Sequence, residues 1–155
     1  MNATERAALL QRYADGYAEV AAALAGATDA DLDAPGDAGE WTARQVVHHL
    51  ADSETNSYIR LRKLLAEEKP TLVGYDENLW AAALHYDRPI EASLAVFRAV
   101  RASSAELLAR ATDADWARTG THSESGAYAL EDWLRIYASH GHDHADQIRK
   151  ARGRG

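Results

Sequence analysis

Apolar side chains recur every three to four residues through four long stretches of this chain, a spacing typical of α-helices with one buried face. The stretches cover approximately residues 4–25, 42–67, 87–108 and 130–148. The third opens with Asp87-Arg88-Pro89, where the proline suits a first helical turn. No alternating run rich in valine and isoleucine competes for a β-strand. The sequence therefore predicts an all-α fold, a four-helix bundle.

The links between these helices are unusually long. Residues 28–40 and 112–128 are predicted connectors, and residues 70–87 are expected to hold a short helix at about 77–84. The second long helix has a clear start, because Thr42 and Gln45 are spaced as in a capping box. Such extended links predict a bundle that differs from the simple up-down-up-down arrangement.

Composition excludes several classes of protein. A chain of 155 residues fits one domain, expected over residues 1–150, with a basic C-terminal tail at 151–155. The absence of cysteine rules out disulfides, thiolate metal sites and cysteine nucleophiles, and it predicts a cytoplasmic location. A net charge of -7 argues against nucleic acid as a partner. No apolar run approaches the roughly 20 residues that span a membrane.

Two histidines mark the fourth long stretch. His140 and His144 lie four residues apart and continue the apolar stripe of Trp133, Tyr137 and Ile148. That spacing brings two imidazoles close enough to share one cation, and imidazole is a common ligand of zinc, nickel, copper and iron. Hydrogen bonds inside a bundle could equally satisfy two buried histidines. The pair alone leaves a metal site and a structural role open.

The second long helix offers a third ligand. A catalytic zinc site usually has three protein ligands and one open position. His48 and His49 both lie at the edge of the apolar stripe, and helical periodicity does not decide between them.

Polar residues of the same helix have several possible roles. Glu54 falls within the apolar stripe, so it is a candidate catalytic base, a support for a metal ligand, or a partner of Arg60 or another arginine. Asp52 could accept the second ring N–H of a metal-binding histidine, or lie on the surface. Asn56 and Arg60 are one turn apart and could hold an anionic group, or form a solvated face.

The segment WTARQVVHHLADSE, residues 41–54, resembles the opening motif of the DinB-like superfamily, in which the metal-binding histidine directly precedes Leu-Ala. Further blocks at 56–60, 75–80, 89–94 and 137–141 resemble its YfiT/BstA branch. Members of that branch are named metal-dependent hydrolases and are associated with bacillithiol S-transfer. The similarity covers roughly residues 38–148.

The resemblance implies a four-helix bundle, a homodimer, and a divalent metal ion, with zinc or nickel expected. It implies three metal ligands: His49, His140 and His144. The chain departs from the branch at Glu54, Asp143 and Gln147, where relatives often have further histidines. His122, in the loop 121–126, could contact substrate there or be an ordinary loop residue.

These observations favour a metal-dependent thiol S-transferase. In that hypothesis the metal activates the thiolate of a bacillithiol- or mycothiol-like molecule, which attacks an electrophile. The small-molecule thiol would supply the sulfur that a cysteine-free chain lacks. The alternative is a hydrolase that uses a metal-bound hydroxide, with Glu54 or a loop residue as proton shuttle. A third hypothesis is a non-catalytic bundle whose metal ties the second and fourth helices together.

Overall fold

The computed structural model describes residues 1–35 and 39–153 and is mainly helical. Seven helices occur in the described residues: α1 (Ala3–Leu24), α2 (Asp29–Leu32), α3 (Ala43–Ala66), α4 (Glu77–Ala83), α5 (Glu91–Leu108), α6 (Asp113–Trp116) and α7 (Leu130–Ala151). Three short strands complete the fold: β1 (Thr71–Leu72), β2 (Thr119–His122) and β3 (Gly126–Ala129). The long helices α1, α3, α5 and α7 form the predicted four-helix bundle.

Local hydrogen bonds explain where the helices begin. The Asn2 side chain caps α1, and Thr42 and Gln45 form the predicted capping box of α3. The predicted opening of the third long helix at Asp87-Arg88-Pro89 is wrong by a few residues, since α5 begins at Glu91. The residues before it form a turn instead, in which the carbonyl of Arg88 accepts a hydrogen bond from His48.

The helices pack in an order that differs from their order in the chain. Helix α1 packs along α7 and α5, whereas α3 packs along α5 and α7. The consecutive long helices α1 and α3 therefore occupy opposite corners of the bundle. This confirms that the bundle is not of the simple up-down-up-down kind, in which consecutive helices are neighbours.

A small three-stranded sheet was not predicted. Strand β1 pairs in parallel with β2, which pairs antiparallel with β3. Strands of two to four residues, built here from threonine, glycine, alanine and single larger residues, are too short to show an alternating pattern. The sheet matters for the site because β3 leads directly into α7 and fixes where that helix starts.

A polar layer crosses the bundle between two apolar clusters. One cluster surrounds Trp133 and the other surrounds Phe97, and these two side chains are fully buried. Between them lie Glu54 of α3, Arg101 of α5 and His140 of α7, of which the first two are buried. A buried ion pair between apolar layers is costly unless every polar atom is paired. This layer is where the candidate site lies.

The chain ends and links add detail to the predicted domain. Of the expected tail, Ala151 belongs to α7 and Arg152 is buried, donating to the carbonyl of Ala23. Residues 154–155 of that tail, and 36–38 of the predicted link 28–40, lie outside the described residues. Within the described ranges, no helix is both long and apolar enough to cross a membrane.

Candidate metal centre

Three histidines from two helices meet beside the polar layer. His49 of α3 faces His140 and His144 of α7, and one potential ligand atom from each lies within 4.8 Å of the others. The ring centres are 4.6 Å apart for His140 and His144, 4.8 Å for His49 and His144, and 5.6 Å for His49 and His140. The i,i+4 spacing on α7 and the packing of α3 against α7 together produce this cluster.

Neighbouring side chains orient the two histidines of α7. His140 Nδ1 lies 3.0 Å from Glu54 Oε1, and His144 Nδ1 lies 2.7 Å from Gln147 Oε1. A carboxylate and an amide oxygen can only accept, so both Nδ1 atoms carry the proton and donate. The Nε2 atom of each ring therefore carries the lone pair that a metal ligand requires, although that of His140 also lies 3.4 Å from Ser53 Oγ.

Burial lowers the pKa of two of the three rings, His49 and His144. Burial, reinforced by the two neighbouring histidines, lowers the pKa of His49 to about 3. Burial and the charge of His140 lower the pKa of His144 to about 4. His49 also packs against the Trp41 ring, with ring centres 4.8 Å apart and planes tilted by 51°, and its buried Nδ1 has no hydrogen-bond partner in the described chain. An unpaired buried nitrogen is destabilising, and a cation is one way to satisfy such a cluster.

His48 is excluded from the cluster by its own contacts. Its Nδ1 lies 2.8 Å from Ser93 Oγ and its Nε2 lies 3.0 Å from the carbonyl of Arg88. Both ring nitrogens are thus occupied on the side of α3 that faces α5. The structure separates two adjacent histidines that the sequence pattern could not, since each is buried against a different neighbour.

Glu54 lies behind His140 rather than in the space that the three histidines share. Its Oε1 accepts from Arg101 Nη1 at 2.5 Å as well as from His140, and Ser57 Oγ lies 3.4 Å from Oε2. The side chain is fully buried. From the sequence, Arg60 or another arginine was the expected partner of Glu54, and the structure shows that the partner is Arg101. These contacts favour support of His140 over proton transfer to a substrate.

Arg101 is fixed on every side. Its guanidinium donates to the carbonyls of Tyr13 on α1 and Tyr137 on α7. Arg101 thereby links its own helix, α5, to α1 and α7. Gly16 makes room for it, because a Cβ at that position would come within 2.5 Å of Arg101 Nη2. The role of Arg101 as the partner of Glu54 was not predicted, since nothing in the sequence of α5 alone indicates which carboxylate this arginine faces.

The three histidines could hold a divalent cation. They bring three neutral nitrogen ligands, a set that zinc and nickel accept. No carboxylate or further histidine joins this ligand set within residues 1–35 and 39–153. Three protein ligands leave at least one position for a small molecule, which is the arrangement of catalytic sites and not of closed structural ones.

The remaining candidates lie around the cluster. Asp52 does not contact His49, and its Oδ2 accepts from the Tyr86 hydroxyl at 2.6 Å. His122 is buried in β2 against Tyr128, with its Nδ1 accepting from the N–H of Glu124. Ser53, which was not singled out from the sequence, has its Oγ 3.4 Å from His140 Nε2.

Fold and site together define a class of protein: a helical bundle in which the second and fourth long helices present a three-histidine centre. The sequence model of the DinB superfamily matches residues 12–148. The chain belongs to this superfamily.

Individual relatives agree with this assignment. The chain is 43% identical over 117 residues to a protein of Oceanobacillus iheyensis named "Putative metal-dependent hydrolase", covering 76% of this chain and 68% of that one. It is 36% identical to a protein of the same name from Bacillus mycoides, covering 94% and 84% of the two chains. Its structure matches YfiT from Bacillus subtilis, described as "a probable metal-dependent hydrolase with an unusual four-helix bundle topology", with a TM-score of 0.92 and 33% identity over 99% and 89% of the two chains.

Proposed function

We propose that the protein is a metal-dependent thiol S-transferase. His49, His140 and His144 would hold a divalent cation, zinc or nickel, and a low-molecular-weight thiol of the bacillithiol or mycothiol kind would attack an electrophile. The observation that carries the proposal is the cluster of three imidazoles, which no fourth protein ligand joins in the described chain.

The ligand set determines what a cation could do here. Neutral ligands leave the full charge of the ion uncompensated, so a bound cation would lower the pKa of a coordinated thiol, as it does for water. The thiol loses its proton to solvent, its sulfur forms a bond to the electrophilic carbon, and the leaving group departs with the bonding electrons. A chain without cysteine requires the sulfur to come from a cosubstrate.

The protein's own side chains would orient the reaction. Glu54 and Gln147 hold the rings of His140 and His144 in the ligating tautomer. Trp41 packs against His49 with its ring centre 4.8 Å away, which limits how the His49 ring can turn. Their role is to fix the ligands before substrate arrives, which is the usual contribution of groups behind a metal ligand.

The surroundings favour a thiol over water as the nucleophile. A free thiol has a pKa of about 8.5, whereas water has one of about 15.7, so the cation must lower the pKa of water much further to form the nucleophile near neutral pH. The carboxylate nearest to the cluster, Glu54, already accepts from Arg101 and His140 and is fully buried. A thiol needs no such base near neutral pH.

The second candidate is a metal-dependent hydrolase, which the printed names of the relatives favour. One comparison separates the two. Protein loaded with zinc or nickel, and metal-stripped protein, are assayed with cysteine, glutathione, bacillithiol and mycothiol against monobromobimane, and in parallel for hydrolysis of p-nitrophenyl acetate.

Thiol transfer predicts that conjugation with at least one thiol requires the metal and is lost in His144→Ala. The matched control is His142→Ala, since His142 points to the carbonyl of Arg12 and not to the cluster. Metal-dependent ester hydrolysis without any acceleration of conjugation would establish the hydrolase instead. If metal raises only the thermal stability, the site is structural and the proposal is wrong.

Two further parts of the proposal come from the sequence. The family resemblance suggests a homodimer, which sedimentation equilibrium tests directly. The absence of cysteine suggests a cytoplasmic location, which fractionation of the source cells tests.

A further inference from the structure

A groove runs along the outer face of α3 beside the histidine cluster. It has a volume of about 340 Å³ and lies between α3, β1 and Trp80 of α4. Its floor on α3 is lined by Asp52, Asn56, Ile59, Arg60 and Lys63. The volume is at the small end of the range for small-molecule sites, so the groove suits a metabolite and not a protein segment.

Arg60 provides a positive charge that no carboxylate neutralises in the described chain. Its Nη1 donates to the Tyr137 hydroxyl at 3.1 Å and its Nη2 donates to the carbonyl of Val73 at 2.8 Å, and both acceptors are neutral. Its Nε is buried without a hydrogen-bond partner. By contrast, the buried guanidinium groups of Arg44 and Arg101 each face a carboxylate, that of Asp33 and that of Glu54.

Lys63 adds a second cation to the same groove. Within the described residues its ammonium group pairs with Glu67 at 3.4 Å, one turn further along the chain, and both side chains of the pair are partly exposed. An exposed i,i+4 pair is weak and exchanges readily for another anion. Asn56 uses one amide N–H to reach the carbonyl of Asp52 and keeps the second for a ligand.

Two of the residues that line the groove, Asp52 and Arg60, lie close to the histidine cluster or to its neighbours. Asp52 follows His49 by one helical turn, and the Tyr137 ring that receives Arg60 lies 5.6 Å from the His140 ring. The backbone of Arg60 is about 16 Å along α3 from His49, and the side chain points back towards the start of the helix. Asn56 and Arg60 follow His49 by seven and eleven residues, close to two and three helical turns, so all three residues lie on the same face of α3.

We propose that Arg60, Lys63 and Asn56 form an anion subsite that binds the carboxylate or phosphate end of the small-molecule substrate whose reacting end faces the three histidines. The guanidinium fork suits such an oxygen pair better than a point charge does. Asp52 at the other end of the groove repels a second anion and favours a hydroxyl or ammonium group. The substrate is thus an elongated molecule whose anionic group lies away from its reacting atom. The position of the reacting atom at the three histidines rests on the proposed function.

The subsite itself is tested on metal-free protein, so that carboxylates cannot bind through a metal. Succinate and inorganic phosphate are titrated while amide shifts of residues 52–63 are followed by NMR, with dimethyl succinate as the neutral probe. Both anions should bind saturably and the ester should not. Arg60→Gln should weaken binding about tenfold or more, as expected for a charge-assisted hydrogen bond, and Lys63→Gln should weaken it several-fold.

Arg110→Gln is the matched control. Arg110 is exposed just beyond the end of α5, so this substitution removes the same charge at a position away from the groove. The proposal is overturned if Arg60→Gln binds succinate and phosphate as wild type does, if the control weakens binding equally, or if the ester binds as well as the acid. Lys63→Gln, at a partly exposed position, keeps the test decisive should Arg60→Gln fail to fold.

A second assay uses metal-loaded protein with glutathione and its dimethyl ester as thiols. The acid should have a KM about tenfold lower than the ester in the wild type, and Arg60→Gln should remove the difference. Conjugation with equal KM values for acid and ester contradicts the subsite while the proposed function stands. If the protein binds the anions but conjugates no thiol, the subsite stands and the proposed function is wrong.

Discussion

Replacing Glu54 with glutamine tests whether the buried carboxylate supports the candidate metal ligand. The glutamine has nearly the same shape, but it removes the charge that Oε1 presents to Arg101 at 2.5 Å and to His140 at 3.0 Å. Arg101 would remain buried without a counter-charge. Breaking a buried pair from one side typically costs about 3–5 kcal/mol, and the amide oxygen retains one hydrogen bond, so we expect about 3 kcal/mol.

Metal affinity should fall as well. Without the carboxylate, the Nδ1–H of His140 loses its charged acceptor, and loss of such a partner costs about 10–100-fold in metal affinity. Urea denaturation of the metal-free variant measures the first effect, and zinc titration against a competing chelator measures the second. Glu67→Gln is the control, since its exposed pair with Lys63 should contribute no more than about 0.5 kcal/mol.

A double variant separates the two roles of Glu54. In Glu54→Leu with Arg101→Met the charge pair is removed as a unit, so part of the lost stability should return. Metal affinity should remain low, because His140 still lacks its acceptor. If Glu54→Gln leaves the free energy of unfolding within about 0.5 kcal/mol of wild type, or leaves zinc affinity unchanged, the support that we assign to Glu54 does not exist.

Three further outcomes follow from the same structure. His48→Gln should destabilise the protein by about 1–3 kcal/mol in urea through loss of its buried hydrogen bonds, yet leave zinc affinity unchanged; a large loss of affinity would mean that His48 is a ligand. Because the folded-state pKa values of His49 and His144 lie near 3 and 4, below the unfolded value, the unfolded chain binds more protons in acid. The free energy of unfolding of metal-free protein should therefore rise from about pH 4 to about pH 6.5 and flatten above it, and a flat profile in this window would contradict the burial of these rings. Gly16→Ala should cost about 1–3 kcal/mol, because its Cβ would strike the Arg101 guanidinium, and an unchanged denaturation midpoint would show that the layer is looser than described.

Periodicity was sufficient for the long helices because each is long and buries one apolar face. The capping box at Thr42 placed the start of α3 to the residue, since its two hydrogen bonds are local. The sheet escaped prediction for the opposite reason. Strand β1 pairs with residues 121–122, far along the chain, and neither segment has a pattern of its own.

In the candidate site, too, the local features could be predicted from the sequence and the long-range contacts could not. The His140 and His144 pair could be recognised from one helix, because i,i+4 spacing is a local property. Helical periodicity could not separate His49 from His48, because α3 is covered by α5 on one side and by α7 on the other, so both rings are buried. Only the resemblance to the family motif favoured His49. Arg101 depends on how α5 packs, which the sequence pattern does not specify.

X-ray absorption spectroscopy of zinc-loaded protein tests the central claim most directly, because it counts the atoms bound to the metal. Without thiol, we expect three imidazole nitrogens at about 2.0–2.1 Å and one light non-histidine atom. On adding a low-molecular-weight thiol, a sulfur should replace that atom at about 2.3 Å, and the three imidazoles should remain. A fourth protein ligand, or a spectrum that no thiol changes, would contradict an open three-histidine centre that activates a thiol.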